Sequence, residues 1–213
     1  MPESSGYFHT VQPGDTEIPA LILLHGSGQD ETTLAGFGQT ILPAATRIAL
    51  RGTLPWEGGF AFFRRHADRT LDLLDLSDRA ATLCGFIRYA TKHYDLRKPP
   101  ILAGYSNGAI IAAAAICQDK TLTSGAILLR PLSPSPGDVF PPLDHYPVLI
   151  IAGEHDKRRD PQDAPFIARQ FRDASAGVTY HSIPAGHGWS NADQTIARAW
   201  LEDGRHKPPR TRY

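Results

Sequence analysis

The sequence contains little sulfur, no surplus of either charge and no long apolar run. Its 213 residues include one methionine and two cysteines, and 22 basic residues balance 22 acidic ones. Balanced charge gives no general attraction for nucleic acid or an anionic membrane surface, so neither is an expected partner. No apolar stretch reaches the roughly 18 residues of a membrane span, and the N-terminus lacks the basic and apolar regions of an export signal. A cytoplasmic protein is expected, with Cys84 and Cys117 as reduced thiols.

What the sequence does contain is an alternation of short apolar strands and amphipathic helices. The pattern predicts strands near residues 7–12, 19–24, 45–50, 99–104, 124–129, 147–152 and 177–183. It predicts helices near residues 31–41, 77–94, 107–119, 162–174 and 190–203. This alternation indicates an α/β fold with a mostly parallel twisted sheet and helices on both faces. No linker or repeat divides the chain, so one domain over 1–213 is expected, without a large cap and with flexible tails at about 1–6 and 204–213.

The segment 104–108, Gly-Tyr-Ser-Asn-Gly, joins a predicted strand to a predicted helix. A serine at such a sharp turn exposes its hydroxyl at the sheet edge, and glycines two residues either side let the strand and the helix approach. The N-terminal end of the helix favours negative charge beside Ser106. On its own, the pattern fits a glycine-flanked turn with a capping serine equally well. The neighbouring segments favour a nucleophile.

Two further strands end in polar residues that complete this pattern. Asp156 follows the sixth predicted strand, and His187 lies between two glycines before the last helix. Loops at the carboxyl ends of parallel strands meet at one edge of a sheet, so both residues are expected near Ser106. The order serine, aspartate, histidine is that of the nucleophile, acid and base of an α/β-hydrolase. Asp160 and Asp163 are alternative acids, and Asp156 is preferred because it lies closest to the end of the strand.

Other histidines are expected to have structural roles. His155 and His181 are not accompanied by His-Glu-x-x-His or paired-cysteine spacing, so no metal site is predicted. His25 precedes a glycine-rich loop at the end of an apolar strand, and we expect it to support that loop through hydrogen bonds.

Together these segments resemble the phospholipase/carboxylesterase branch of the α/β-hydrolases, and most closely the small bacterial carboxylesterases encoded with hydroquinone- and catechol-responsive genes. The resemblance extends from about the first strand to the last helix, and its matching segments are 24–31, 50–52, 62–65, 104–109 and 186–187. It implies hydrolysis of a small-molecule ester by Ser106, Asp156 and His187. It also implies that the backbone N–H groups of Ser27 and Asn107 form the oxyanion hole. Such a mechanism requires no metal or organic cofactor. A homodimer is one possible assembly.

Two segments depart from the family pattern, and both concern the substrate pocket. Relatives usually carry a small or proline-containing turn after the acid, whereas residues 157–161 here are Lys-Arg-Arg-Asp-Pro. Arg130 stands where relatives tend to have a histidine or a small residue, which predicts a different pocket wall. Trp56, Phe60 and Phe62 are the other expected wall residues, although Phe62 fits the core equally well.

The size of the substrate is predicted from the same aromatic loop. Without a cap, large rigid rings would close the pocket, which favours short-chain or aromatic esters and excludes long acyl chains. A lysophospholipase or acyl-thioesterase with the same triad is the first alternative. A non-catalytic binding or sensing module is the second, and it is disfavoured because all three triad candidates are present.

Overall fold

The computed structural model describes residues 6–204 and is built around one large β-sheet. The strands in this part of the chain are β1 (His9–Gln12), β2 (Leu21–Leu24), β3 (Arg47–Leu50), β4 (Leu54–Trp56), β5 (Gly59–Ala61), β6 (Ile101–Tyr105), β7 (Gly125–Leu129), β8 (Pro147–Gly153) and β9 (Gly177–Ile183). Seven of them form a sheet in the order β1-β3-β2-β6-β7-β8-β9, while β4 and β5 form a separate hairpin. Only β1 runs antiparallel to its neighbour in the large sheet.

Five helices connect or follow the strands in the described residues. They are α1 (Ala35–Ile41), α2 (Leu73–His93), α3 (Asn107–Gln118), α4 (Asp163–Asp173) and α5 (Asn191–Glu202). Helix α2 begins four residues before the predicted position because the Asp72 side chain caps it, accepting the Asp75 N–H at 3.1 Å. Helix α1 begins later than predicted, since residues 31–34 form turns.

Apolar side chains cover both faces of the sheet, and alternate residues of a strand point to opposite sides. In β2, Ile22 and Leu24 join the core that α2, α3 and α4 cover, whereas Leu21 and Leu23 join the core that α1 and α5 cover. Burial on both faces explains why the sheet strands read as continuous apolar runs rather than as alternating patterns. The predicted α/β-hydrolase fold, with helices on both faces of a mostly parallel sheet, is confirmed.

The sequence did not predict the β4–β5 hairpin, whose three-residue strands contain proline and glycine and show no apolar alternation. Cys84 and Cys117, predicted to be reduced, are both free thiols. None of the helices within residues 6–204 is both long and apolar enough to cross a membrane. Most of the two predicted tails, residues 1–5 and 205–213, lies outside the described residues.

Candidate active site

Ser106 occupies a strained turn between β6 and α3. Its φ of 52° and ψ of −105° lie in a region that residues with side chains rarely adopt. A Cβ added to Gly104 would overlap the Gly108 carbonyl, and one added to Gly108 would overlap the Leu24 carbonyl. The glycines on either side of Ser106 therefore allow the close approach of strand and helix that the sequence predicted.

The structure brings Ser106, Asp156 and His187 together at the carboxyl edge of the sheet. His187 Nε2 lies 3.0 Å from Ser106 Oγ, and His187 Nδ1 lies 2.8 Å and 3.0 Å from the two carboxylate oxygens of Asp156. Of the alternative acids, Asp163 accepts the Asp160 N–H and Asp160 accepts the Gln162 N–H. Both alternatives thus bind the backbone at the start of α4, and Asp156 is the acid that contacts the imidazole.

Arg130 corrects one prediction for the pocket wall, because its side chain is buried and bonded entirely within the protein. Its Nε donates to Gly186 O at 3.0 Å, and its Nη2 donates to Gly188 O at 3.1 Å. The remaining N–H groups reach Ile151 O at 3.2 Å and the two carboxylate oxygens of Asp193 at 2.7 Å and 3.0 Å. All five donors of the guanidinium are engaged, so none is left for a substrate.

This arginine instead fixes the loop that carries His187. Gly186 and Gly188 flank the histidine, and both of their carbonyl groups accept hydrogen bonds from Arg130. Asp193, which completes the ion pair, lies in the first turn of α5 and also caps it by accepting the Ser190 N–H at 2.7 Å. The position of Arg130 directly after β7 places it at the functional edge of the sheet. The sequence gives no sign that Asp193 is its ion-pair partner.

The loop that carries Ser27 is held by the side chain of Gln29 and by the β4–β5 hairpin. Gln29 Oε1 accepts the Gly26 N–H at 2.8 Å, while Gly28 and Gln29 exchange backbone hydrogen bonds with Phe60. Within residues 6–204, the Ser27 N–H has no acceptor. The same holds for the N–H of Asn107, at the start of α3.

The aromatic residues predicted to form the pocket wall do not share one environment. Trp56 lines the cavity in front of Ser106. Phe60 packs under the Arg51 guanidinium at 4.9 Å and does not line that cavity. Phe62 is wholly buried in the core, where its N–H donates to Asn107 Oδ1, so the prediction that it contacts substrate is wrong.

His25 has the supporting role that the sequence predicted. Its Nδ1 lies 2.6 Å from Gly26 O, and its Nε2 accepts the Gly52 N–H at 2.9 Å. Burial lowers the pKa of His25, which keeps the imidazole neutral and its Nε2 able to accept. The ring thus ties the end of β2 to the loop after β3.

A cavity of about 540 Å³ opens in front of Ser106. The charged side chains that line it are Arg65, Arg69, Lys157, Arg158, Arg159, Glu57 and Asp163. One of them contacts Ser106, because Arg159 Nη2 donates to Ser106 Oγ at 3.1 Å. Sequence reasoning marked the segment 157–161 as unusual but did not place Arg159 beside Ser106, since 53 residues separate them along the chain.

The electrostatic surroundings of His187 favour its neutral form. Burial lowers the pKa of His187, the hydrogen bond to Asp156 raises it, and the positive charges of Arg159 and Arg158 lower it. A neutral imidazole with its proton on Nδ1 can accept the Ser106 hydroxyl proton at Nε2. No cluster of three potential metal ligands was found in the described part of the chain.

Known proteins share both this sequence and this fold. MhqD of Bacillus subtilis (strain 168), which is assigned as a hydrolase, is 32% identical over 196 residues, which cover 92% of this chain and 98% of MhqD. A carboxylesterase from Bacillus cereus superposes with a TM-score of 0.88 at 31% identity, covering 92% of this chain and 94% of that one. The chain belongs to the carboxylesterase branch of the α/β-hydrolases. No family model matches the sequence.

A second carboxylesterase structure, from Mesorhizobium loti, has a TM-score of 0.83 at 29% identity and covers 95% of this chain and 97% of its own. Membership of the carboxylesterase family confirms the resemblance and the enzyme class that the sequence predicted. The predictions of a homodimer, of a cytoplasmic location and of no nucleic-acid partner remain predictions.

Proposed function

We propose that this carboxylesterase hydrolyses small carboxylic esters with Ser106 as nucleophile, His187 as general base and Asp156 as the acid that orients the base. The continuous chain of hydrogen bonds from Ser106 Oγ through the imidazole to Asp156 carries this proposal. Each bond is short enough for direct proton transfer or for fixing the tautomer.

The reaction begins when Ser106 Oγ attacks the ester carbonyl carbon and its proton moves to His187 Nε2. Asp156 stabilises the imidazolium, and the N–H groups of Ser27 and Asn107 donate to the oxyanion. Loss of the alcohol, which takes the proton from His187, leaves an acyl group on Ser106. Water, deprotonated by His187, then attacks the acyl-enzyme and releases the acid.

The nucleophile is tested by Ser106→Ala, with hydrolysis of p-nitrophenyl acetate as the measurement. Loss of a triad nucleophile should lower kcat by on the order of 10⁶-fold. Ser77→Ala is the matched control, because Ser77 lies on the exposed surface of α2 and should leave kcat unchanged. Circular dichroism should show that both variants fold. A Ser106→Ala enzyme that kept a tenth of the wild-type activity would rule out this mechanism.

A second candidate, a lysophospholipase or acyl-thioesterase that accepts long acyl chains, is favoured by one observation. An apolar groove of about 360 Å³ adjoins the active-site cavity, and Leu132 lines both. Leu71, Leu73 and Phe166 form much of the rest of the groove. Small esters remain the first proposal because the cavity itself is lined by charged groups, which do not solvate a methylene chain.

Chain length separates the two candidates. The p-nitrophenyl esters from acetate to hexanoate should have higher kcat/KM values than the dodecanoate or palmitate, and Trp56→Ala should shift the optimum to longer chains. Each additional buried methylene is worth about 0.8 kcal/mol only where the wall leaves room for it. A steady rise of kcat/KM through to palmitate, or a clear preference for acyl thioesters, would make the second candidate the better one.

A further inference from the structure

The active-site cavity is strongly basic although the chain as a whole carries a formal net charge of zero. Of its two carboxylates, Glu57 pairs with Arg69 at 3.2 Å, and Asp163 accepts the Asp160 N–H at the start of α4. Among residues 6–204, no carboxylate lies within ion-pair distance of the other four cavity cations, which are Arg65, Lys157, Arg158 and Arg159. In the described part of the chain these four cations therefore form no ion pair, although the carboxylates of Asp156 and Asp163 are near enough to act on Arg159 electrostatically.

Arg159 is placed where such a charge can act on the reaction. Its Nη2 donates to Ser106 Oγ at 3.1 Å, while its Nε donates to Arg130 O at 3.0 Å and its Nη1 to Arg158 O at 3.2 Å. A guanidinium has five N–H groups, so one on each terminal nitrogen has no acceptor within the described residues. These three hydrogen bonds hold Arg159 at the cavity wall and leave two N–H groups that can bind a ligand.

The free energy of this arrangement favours binding of an anion. Burial and the nearby charge of Arg65 lower the pKa of Arg159 to about 10, although the charges of Asp156 and Asp163 raise it, and the group stays protonated at neutral pH. A half-buried cation without an ion-pair partner has lost hydration that no carboxylate among residues 6–204 replaces by direct contact. A negative group on the ligand would supply the missing partner.

The same anion would help the chemical step. His187 becomes an imidazolium when Ser106 attacks, and the positive charges of Arg159 and Arg158 oppose that change. A negative group bound to Arg159 would cancel part of this repulsion in the transition state. An anionic ester should therefore gain in kcat as well as in binding.

We infer, building on the ester hydrolysis proposed above, that the substrate is an ester carrying a carboxylate a few bonds from the scissile carbonyl, and that Arg159 binds this carboxylate. A monoester of a short dicarboxylic acid has this chemistry. The planar guanidinium matches the two oxygens of a carboxylate. A phosphate is the other anion that a guanidinium binds in this way, so a phosphorylated ester is compared with the carboxylate in the binding experiment.

Binding is measured first, on Ser106→Ala, so that the result does not depend on catalysis. Calorimetry compares monoethyl succinate with ethyl succinamate, a neutral ligand of nearly the same shape. The charged ligand should bind at least about 10-fold more tightly, as a charge-assisted hydrogen bond predicts. Adding Arg159→Gln should abolish that preference. Adding Arg172→Gln, which removes an exposed charge of α4 away from the cavity, should preserve it.

Turnover is then measured on the native enzyme and on Arg159→Gln, with ethanol release as the readout. The ratio of kcat/KM values for monoethyl succinate and ethyl succinamate should be at least about 10 in the native enzyme and close to one in the variant. Part of the change should be in kcat, which a purely structural role of Arg159 would leave independent of substrate charge.

Three outcomes would overturn the inference: equal binding of the two ligands, a preference that survives Arg159→Gln, or tighter binding of 1-butyryl-glycerol 3-phosphate than of monoethyl succinate. Failure of the esterase proposal would look different. In that case the carboxylate preference in binding would remain while no ester, p-nitrophenyl acetate included, was hydrolysed. Conversely, hydrolysis of neutral esters without a charge preference would leave the esterase proposal standing and contradict this inference.

Discussion

Arg130 and Arg159 follow the ends of neighbouring strands, β7 and β8, and their surroundings differ in one decisive respect. Arg130 is buried, and both oxygens of the Asp193 carboxylate accept its hydrogen bonds, at 2.7 Å and 3.0 Å. Arg159 faces the cavity, and its acceptors within residues 6–204 are one hydroxyl and two backbone carbonyls. Among the residues that the structure describes, Asp193 forms an ion pair with the first arginine and no carboxylate forms one with the second.

This difference separates a structural cation from one that is available for binding. Every N–H of Arg130 is satisfied by the protein, and the result is a fixed loop on either side of His187. Arg159 Nε donates a hydrogen bond to the Arg130 carbonyl, so the fixed backbone at Arg130 also helps to position Arg159. A residue type alone therefore does not reveal which role an arginine has; its partners do.

The largest effect should come from breaking the buried pair. Arg130→Met leaves the Asp193 carboxylate buried without its cation, which should lower the free energy of unfolding by about 3–5 kcal/mol. Denaturant unfolding followed by circular dichroism measures this change. The double variant Arg130→Met, Asp193→Leu should recover part of the loss, since an apolar pair of similar volume removes the uncompensated charge. A loss below about 1 kcal/mol in Arg130→Met would show that Asp193 finds other partners.

Removing the open arginine should have a much smaller effect on stability. Arg159→Met removes three hydrogen bonds but also a desolvated cation, so the free energy of unfolding should change by about 1 kcal/mol or less. The same denaturant unfolding assay compares the free energies of unfolding of Arg130→Met and Arg159→Met. If Arg159→Met were as unstable as Arg130→Met, both arginines would be structural and the comparison would fail.

The sheet and the meeting of Ser106, Asp156 and His187 could be predicted because their sequence signals are local. Burial on both faces leaves continuous apolar runs in the strands, and the glycines around Ser106 are required by the close approach of β6 and α3. Asp156 and His187 follow from the rule that parallel strands present their functional loops at one edge. Each inference used a few consecutive residues and one general rule.

The pocket could not be predicted in the same way, because burial and pairing depend on residues distant in sequence. Trp56 ends β4 and Phe62 directly follows β5, yet Phe62 is in the core and Trp56 lines the cavity. Nothing in the chain around Arg130 indicates an ion pair with Asp193, 63 residues further on. The contact between Arg159 and Ser106 depends equally on the fold.

The smallest effect predicted from the comparison is a shift in pH dependence. In the proposed mechanism His187 must be neutral to act as the base, so the acid limb of kcat/KM, measured with a neutral ester, should report the pKa of the imidazole. Arg159 is one of the groups that lower this pKa, together with burial and Arg158, whereas Asp156 raises it. Arg159→Gln removes a positive charge that opposes the imidazolium, so the pKa should rise and activity should be lost at a higher pH than in the native enzyme.

The shift to higher pH should be larger for Arg159→Gln than for Arg158→Gln, because solvent screens the exposed Arg158 more strongly. Arg172→Gln, with the same change in net charge but no contact with the cavity, should leave the acid limb in place. In the native enzyme, the acid limb of kcat should lie at a higher pH with monoethyl succinate than with ethyl succinamate, since the bound carboxylate neutralises Arg159. An acid limb that moved to lower pH in Arg159→Gln would contradict an electrostatic effect of the guanidinium on His187. The two arginines would then differ only in how much each contributes to the free energy of unfolding.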